Sequence, residues 1–500
     1  MMGISQGQKE LFSYQIDLDQ RVRSDHPLRQ IAAVVDFTFV RQEVAECYGR
    51  NGNVSIDPAV ILKMLFLLFY EDIKSERELM KTLPERLDYL WFLGYGLDET
   101  IPDHSVLSKA RSRWGVEVFE SLFLRVVERC VQAGLVDGKK LHVDGSLVDA
   151  NASNNSVVKS SPELIRALKQ AYQATEEKLE VKVYYEVKNE CLMSKTDPDA
   201  AIVRKGTLEP RVRYKNHRVV DDAHGVITAI ETTSGAVAEN VKLFDLVDQH
   251  EKNTGAQAET VVADKQYGTA ENYRIGQERG LKTHMSDLLA PQLEKGRREG
   301  IFSEEDFIYD SKTDTYRCPA GKTLTRRKHK TNRSAWEYSA SCSTCRSCAL
   351  REKCTRSKTA RTLKRHEGHE LIQRGREQAG SAAAFRDRQR RKWIMEGSFA
   401  DAANHHGFKR ARWRRLWRQQ IQDYLIAAIQ NVRILLGHLP SHLATTQSRS
   451  PHASHLLSLF KIVKHGDRRF RCVVPSHSFI RNGSFGTLAP TFGDGLIGAW

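Results

Sequence analysis

The sequence predicts a mixed α/β fold preceded by a helical segment, and three observations lead there. Up to about residue 135, apolar residues recur at helical spacing between capping signals. From residue 139 the apolar runs become short and bounded by turn residues, first as a hairpin pair and then alternating with helical stretches, which is the pattern of a mixed sheet. A chain of 500 residues also exceeds what one compact core accommodates, so several segments are expected.

Asp57-Pro58 reads as an N-cap followed by an N1 proline, opening a helix that carries Ile61, Leu62, Leu65, Phe66 and Phe69. A second helix is expected from Ser75 to Leu90. Pro102-Asp103-His104-Ser105 restarts the chain, with Ser105 or Asp103 capping a short helix through Arg111 whose exposed side is basic. A further helix runs from Val116 to Ala133 and stops at Gly134. A short helix after a tight turn fits a helix-turn-helix and plain helical packing equally. Strands follow at Lys140 to Ala150, Arg213 to Val220, Val226 to Thr233, Glu259 to Asp264 and Leu281 to Met285, with helices at Ala236 to His250 and Thr269 to Gly280. Residues 155–200 are a polar excursion with some helix. Helices are expected again at Phe385 to Ala403 and Arg415 to Leu436, the second amphipathic through Ile421, Leu425, Ile429, Val432 and Leu436. The expected division is a helical segment over 1–135, an α/β part over 139–289, a charged, Cys-rich insertion without a strong core period over 290–384, closing helices over 385–437, and a loosely ordered tail over 438–500.

Lysine and arginine number 77 against 62 acids, a net charge of +15, while hydrophobic residues make up 40%. A basic chain that still builds a core favours a polyanionic partner, nucleic acid before an anionic membrane surface. The longest apolar run, Val60 to Tyr70, is interrupted by Lys63 and falls short of the ~20 residues that span a bilayer. Mean hydropathy is −0.50. No membrane span is expected, and Met1 to Glu10 carries no basic region followed by an apolar core, so a cytoplasmic location is expected.

Three acids stand where chemistry is easily placed. Asp144 closes Leu-His-Val and precedes Gly145; Asp264 closes Val-Val-Ala with Gly268 just beyond; Glu396 lies in a helix among bases. Carboxylates at strand ends are rigid yet reach a cleft, and as hard oxygen donors they suit magnesium or manganese. As single residues, such acids are also ordinary turn formers. Asp149, the Asp221-Asp222 pair, Glu231 and Glu239 compete for the role, the pair reading as a solvated turn. Arg390, Arg391, Lys392, Lys409, Arg410, Arg412, Arg414 and Arg415 form a basic stretch with Trp393, Trp413 and Trp417 interleaved. Such a stretch either tracks a phosphate backbone, with the aromatics stacking on bases, or is a solvated face anchored by core tryptophans. Cys318, Cys342, Cys345, Cys348 and Cys354 suggest a structural zinc knuckle with one thiol to spare, against an iron–sulfur cluster or free thiols. His366-Glu-Gly-His369 lacks the i, i+4 spacing of a zinc protease.

Glu396-Gly-Ser-Phe-Ala-Asp-Ala-Ala-Asn-His-His-Gly-Phe-Lys-Arg-Ala-Arg-Trp413, the contexts of Asp144 and Asp264, and the N-terminal His26-Pro-Leu-Arg-Gln-Ile, Ser75-Glu-Arg-Glu-Leu and Pro102-Asp103-His104-Ser105 resemble the DDE transposases of bacterial insertion sequences, most closely the IS1182 group. The resemblance covers about His26 to Leu436. It implies an RNase H-like core with the first Asp on the first strand, the second after the fourth and the Glu on a later helix, holding two magnesium or manganese ions. It also implies an N-terminal DNA-binding region. Ala403 stands where the family usually has a basic residue. The implied function is binding of terminal inverted repeats, DNA cleavage and strand transfer, with terminal-repeat and target DNA as partners and a homo-oligomer assembled on DNA. The alternatives are a transposase-derived endonuclease and a catalytically degenerate DNA-binding protein or repressor.

Overall fold

The computed structural model describes residues 17–49, 54–161, 191–204, 209–288, 300–331 and 334–438, together with 163, 167, 170, 206 and 207. The tail expected over 438–500 lies outside them but for His438, and so does most of the polar excursion.

Helices of seven residues or more in the first segment are α1 (Pro27–Val34), α2 (Pro58–Tyr70), α3 (Glu76–Thr82), α4 (Leu87–Leu93), α5 (Ser105–Trp114) and α6 (Glu117–Gln132). The capping chemistry anticipated for α2 is present: the Asp57 side chain accepts from the Ala59 amide and Pro58 opens the helix. The single helix expected over 75–90 is instead split, because Pro84 has no amide to donate and the chain passes through a 3₁₀ turn at Leu83–Glu85. On α5 the exposed basic side is narrower than expected, since Arg111 is buried in an ion pair with Glu76 and lies over the Trp413 ring.

The central sheet contains β1 (Lys140–Asp149), β4 (Ala201–Val203), β5 (Arg211–Asp221), β6 (Ile227–Ser234), β7 (Thr260–Val262) and β8 (Lys282–His284), with α7 (Leu243–Thr254) and α8 (Ala270–Glu278) between strands, while β2 (Val157–Ser160) and β3 (Cys191–Ser194) pair as a separate antiparallel two-stranded sheet. Strand order is β6-β5-β1-β7-β8, with β4 also pairing with β5. β5 and β6 run antiparallel as a hairpin, β1 is antiparallel to β5, and β7 and β8 are parallel to β1.

Residues 308–366 form a second, antiparallel sheet of β9 (Ile308–Asp310), β10 (Thr315–Arg317), β11 (Thr323–Lys330), β12 (Ala335–Ser339) and β13 (Thr362–His366). Contrary to the expectation of a coreless insertion, it has its own small interior of Phe307, Tyr316, Leu324, Tyr338 and Leu363. Short strands with aromatic residues on one side hide this from a periodicity count. The chain then returns to the central sheet through α9 (His369–Gly380), α10 (Ala382–His405) and α11 (Leu416–His438).

The two faces of the central sheet are covered differently. Leu141, Val143, Val219 and Val261 pack against α7, α8 and α9 through Leu243, Leu246, Tyr273 and Ile372. On the other face, Val148, Tyr214, Val220 and Ile230 join α10, α11 and all the N-terminal helices in one continuous interior. The N-terminal segment therefore has no core separate from that of the C-terminal helices. α11 is the hub, with Ile421, Leu425, Ile426, Ile429 and Val432 fully buried. Among the described residues no helix is long and apolar enough to cross a membrane.

Candidate catalytic and nucleic-acid site

β1 and β7 pair in parallel up to His142 opposite Val262, where β7 ends; Asp144 follows two residues on within β1, and Asp264 two residues beyond β7. Asp144 is therefore not at a strand end as expected: β1 continues to Asp149 beside β5, and the acid comes level with the point where the shorter β7 stops. Asp144 Oδ1 accepts from the Gly145 amide at 2.8 Å, and Asp264 Oδ1 accepts from the Gln266 amide at 2.7 Å, capping the 3₁₀ turn Lys265–Tyr267. Beyond that turn, Gly268 packs its backbone so closely that a Cβ would lie 1.9 Å from the Ser286 carbonyl oxygen. Burial pushes the Asp144 carboxyl up, the Arg391 guanidinium pulls it down, and the neighbouring Asp264 pushes it up again.

α10 lies along β1 and is fastened to it by charges. Asp387 meets Lys140 and His284, Arg390 meets Asp222, and Arg391 Nη1 meets Asp144 Oδ2 at 2.7 Å. Asp222 also bonds His142 at 2.7 Å, while Asp221 is fully buried and accepts from the Gly138 amide. The Asp221-Asp222 pair is thus a structural anchor rather than the solvated turn its composition suggests. Directly opposite Asp144 on β5 stands Arg218, fully buried, bonded to Asn216, Ser398 and Gln430 and lying over the Phe399 ring.

Of the three expected catalytic acids, Asp144 and Asp264 act on each other directly, whereas Glu396 is on the exposed side of α10. Ala384, Asp387, Met395, Phe399 and Ala402 form the buried stripe of α10. Glu396 follows Arg391 by five residues, about 140° around a helix of 3.6 residues per turn, and is exposed. Trp393, 84% exposed, stands one turn before it. Glu239 packs against β1, its carboxylate carbon 3.0 Å from where a Gly145 Cβ would be; burial pushes its carboxyl up, Lys215 pulls it down, and Asp144 and Asp264 push it up again. Among the described residues no three His, Cys, Asp or Glu side chains are already set as a metal-binding group. The donor chemistry of Asp144 and Asp264 nevertheless suits a hard divalent cation: two oxygen ligands are held close together at the cost of mutual repulsion. That repulsion is offset here by Arg391.

The basic stretch divides in two. Arg412 pairs with Asp72 and lies over the Phe69 ring, burial pushing its pKa down to about 10. Arg415 pairs with Asp199 at 2.8 Å, both side chains 4% exposed. Neither is placed to meet DNA, which corrects the expectation for these two: their charges were absorbed by acids distant in sequence. Trp413 and Trp417 likewise anchor the core. Lys392, Lys409, Arg410 and Arg414 are exposed. Lys409 and Arg410 sit on a segment that bridges the end of β1, where the Asp149 amide donates to the Lys409 carbonyl and the Ala411 amide to that of Asp149. Lys409 Nζ also reaches Ser146 Oγ at 2.7 Å, which places one cation two residues along β1 from Asp144.

In the second sheet Cys318, Cys345, Cys348 and Cys354 line one small apolar cavity of about 30 Å³, while Cys342 is exposed. Among the described residues these thiols form no disulfide and no group set to hold a metal is found, so no zinc is assigned to them.

Two families match the chain: a transposase domain (DUF772) over residues 16–113 and a transposase DDE domain over residues 317–436. No curated protein matches. Among solved structures, a piggyBac transposase synaptic complex with hairpin DNA is similar over 85% of this chain and 80% of its own, at 9% identity and a TM-score of 0.29, too remote a likeness to carry any conclusion.

Proposed function

Because the chain belongs with the DDE transposases of insertion sequences, we propose that it binds the terminal inverted repeats of such an element, cuts at their ends and joins the freed 3′ ends to target DNA. The observation that carries this reading is Asp144, in the middle of β1, and Asp264, just past the end of the parallel neighbour β7, in a sheet of order β6-β5-β1-β7-β8, an arrangement that supports an RNase H-like core. Asp144 and Asp264 would hold magnesium or manganese, with Glu396 on α10 the third acid by the family pattern. A divalent cation held there would supply the charge that lowers the pKa of an attacking water or 3′-hydroxyl and stabilises the leaving oxygen. The protein's own part is to position. The β1–β7 register holds the two carboxylates, Arg391 neutralises Asp144 while the site is unloaded, and Lys409 and Arg410 face the phosphates flanking the scissile bond. Joining two ends requires two copies on DNA, hence a homo-oligomer.

The test is strand transfer on a labelled terminal-repeat duplex with magnesium, beside Asp144→Asn, Asp264→Asn and Glu396→Gln. Joined product, lost in each variant, is expected. A DNA-binding descendant without catalysis is favoured only by the outward position of Glu396. Binding without cleavage in magnesium and manganese alike would establish that reading instead.

A further inference from the structure

We propose that Glu239 is a further carboxylate of the cation site, closing in space on Asp144 and Asp264 from the turn between β6 and α7. The inference rests on the cation-site reading above and adds a ligand that the family pattern does not supply.

Four observations carry it. First, the residue after Asp144 is glycine, and the place its Cβ would fill is taken by Glu239: Cγ and Cδ lie 3.0 Å away and Oε1 3.2 Å. The Glu239 carboxylate therefore rests against the backbone that carries Asp144. Second, the turn bearing Glu239 is clamped to the turn bearing Asp264. The buried side-chain amide of Asn272 donates to the Asn240 carbonyl at 3.0 Å and to the Tyr267 carbonyl at 2.9 Å, tying the 3₁₀ turns Glu239–Lys242 and Lys265–Tyr267 together. Third, Tyr267 is fully buried and its hydroxyl has no hydrogen-bond partner among the described residues. Its pKa is driven up by burial and then by Glu239, Asp144 and Asp264, so this unpartnered hydroxyl sits in the shared field of the three acids. A buried hydroxyl without a partner is costly and marks a place where a ligand or its water completes the bonding. Fourth, the carboxylates are neutralised by side chains that a divalent ion can replace: Lys215 stands 3.3 Å from Glu239, and Arg391 2.7 Å from Asp144. Release of those two cations would free the carboxylate oxygens toward the cation.

Bound Fe²⁺, with ascorbate and peroxide, cuts a polypeptide where the ion sits, so ligands are read without any DNA reaction. In the full-length protein, cuts are expected close to residues 144, 239 and 264, competed by magnesium. Glu239→Gln should raise the Fe²⁺ needed for those cuts by roughly tenfold or more. Lys215→Met, which removes the ion pair but leaves the carboxylate, should keep or strengthen them. Cuts at 144 and 264 that Asp144→Asn abolishes but Glu239→Gln leaves at the original Fe²⁺ concentration would overturn the role of Glu239 while the cation site stands. Equal loss in Glu239→Gln and Lys215→Met would overturn it too, by showing a structural ion pair only. No cuts near 144 or 264 in the parent protein would remove the cation-site reading and this inference together.

Discussion

Replacing Arg391 by methionine removes the cation that neutralises Asp144 while keeping an unbranched, helix-compatible chain. The two groups meet at 2.7 Å with side chains 12% and 22% exposed. A pair of unit charges about 4 Å apart at an effective dielectric of about 20 interacts by ~4 kcal/mol, and breaking a buried pair by deleting one partner costs about 3–5 kcal/mol. With Asp144 partly open to solvent, ~3 kcal/mol is expected for Arg391→Met. Asp144→Asn alone leaves Arg391 buried and unpaired and should cost about 2 kcal/mol. The double variant has neither orphan charge, so its loss should fall short of the sum by more than ~1 kcal/mol. Urea unfolding of the four proteins in metal-free buffer measures this. A second readout is magnesium: it should stabilise Arg391→Met more than the parent, because the ion then meets a carboxylate without a competing guanidinium. Losses that add to within about 0.5 kcal/mol would refute the claim that Arg391 serves Asp144.

Three further outcomes are expected. Burial pushes the Asp197 carboxyl up to about 7; since this lies above its unfolded value, the stability it contributes is complete below about pH 4 and lost as pH rises toward 7, at up to ~1.4 kcal/mol per pH unit. Asp197→Asn still accepts from the Tyr214 hydroxyl and the Arg415 amide, so its unfolding curve should be flatter over that window; an unchanged slope would count against the shift. Arg412→Ala should lower stability by a few kcal/mol, whereas Arg410→Ala should leave stability unchanged and reduce the salt dependence of DNA binding by about one unit of slope; gel-shift titrations over a salt series decide it. Among the five clustered cysteines, Cys342 should react first with a small alkylating agent and the four around the cavity only slowly; mass-spectrometric mapping after brief labelling shows the order.

Much of the central sheet was legible because its signals are local. The strand at 140–149, the hairpin of β5 and β6, and the helices at 382–405 and 416–438 each carry their own period and caps. The placing of Asp144 beside Asp264 was suggested by acids following two apolar strand runs and by the family resemblance, and the parallel pairing of β1 and β7 supplied the rest. What stayed hidden depends on partners distant in sequence. Arg412 and Arg415 read as surface bases until Asp72 and Asp199 are seen to claim them. Arg218 gave only a weak sign, a charge inside a run of strand residues, and its bonds to Ser398 and Gln430 come from helices about 200 residues away. Glu239 was one acid among several, and nothing short of the folded chain sets it against Gly145.

The interior shared by the first helices and the last has a consequence for how the protein is made. Leu28 and Val432 belong to one apolar cluster, yet the ribosome delivers them 432 − 28 = 404 residues apart, a lag of about 20 to 80 seconds at usual synthesis rates. During that interval the apolar sides of α2 and α6 have no α11 to cover them, and the nascent chain must be shielded until α11 emerges. A copy truncated before Leu416 leaves that interior open. Such a fragment should be cleared by proteases rather than persist as a competitor for the DNA ends, and the chain becomes competent only after α11 has been made.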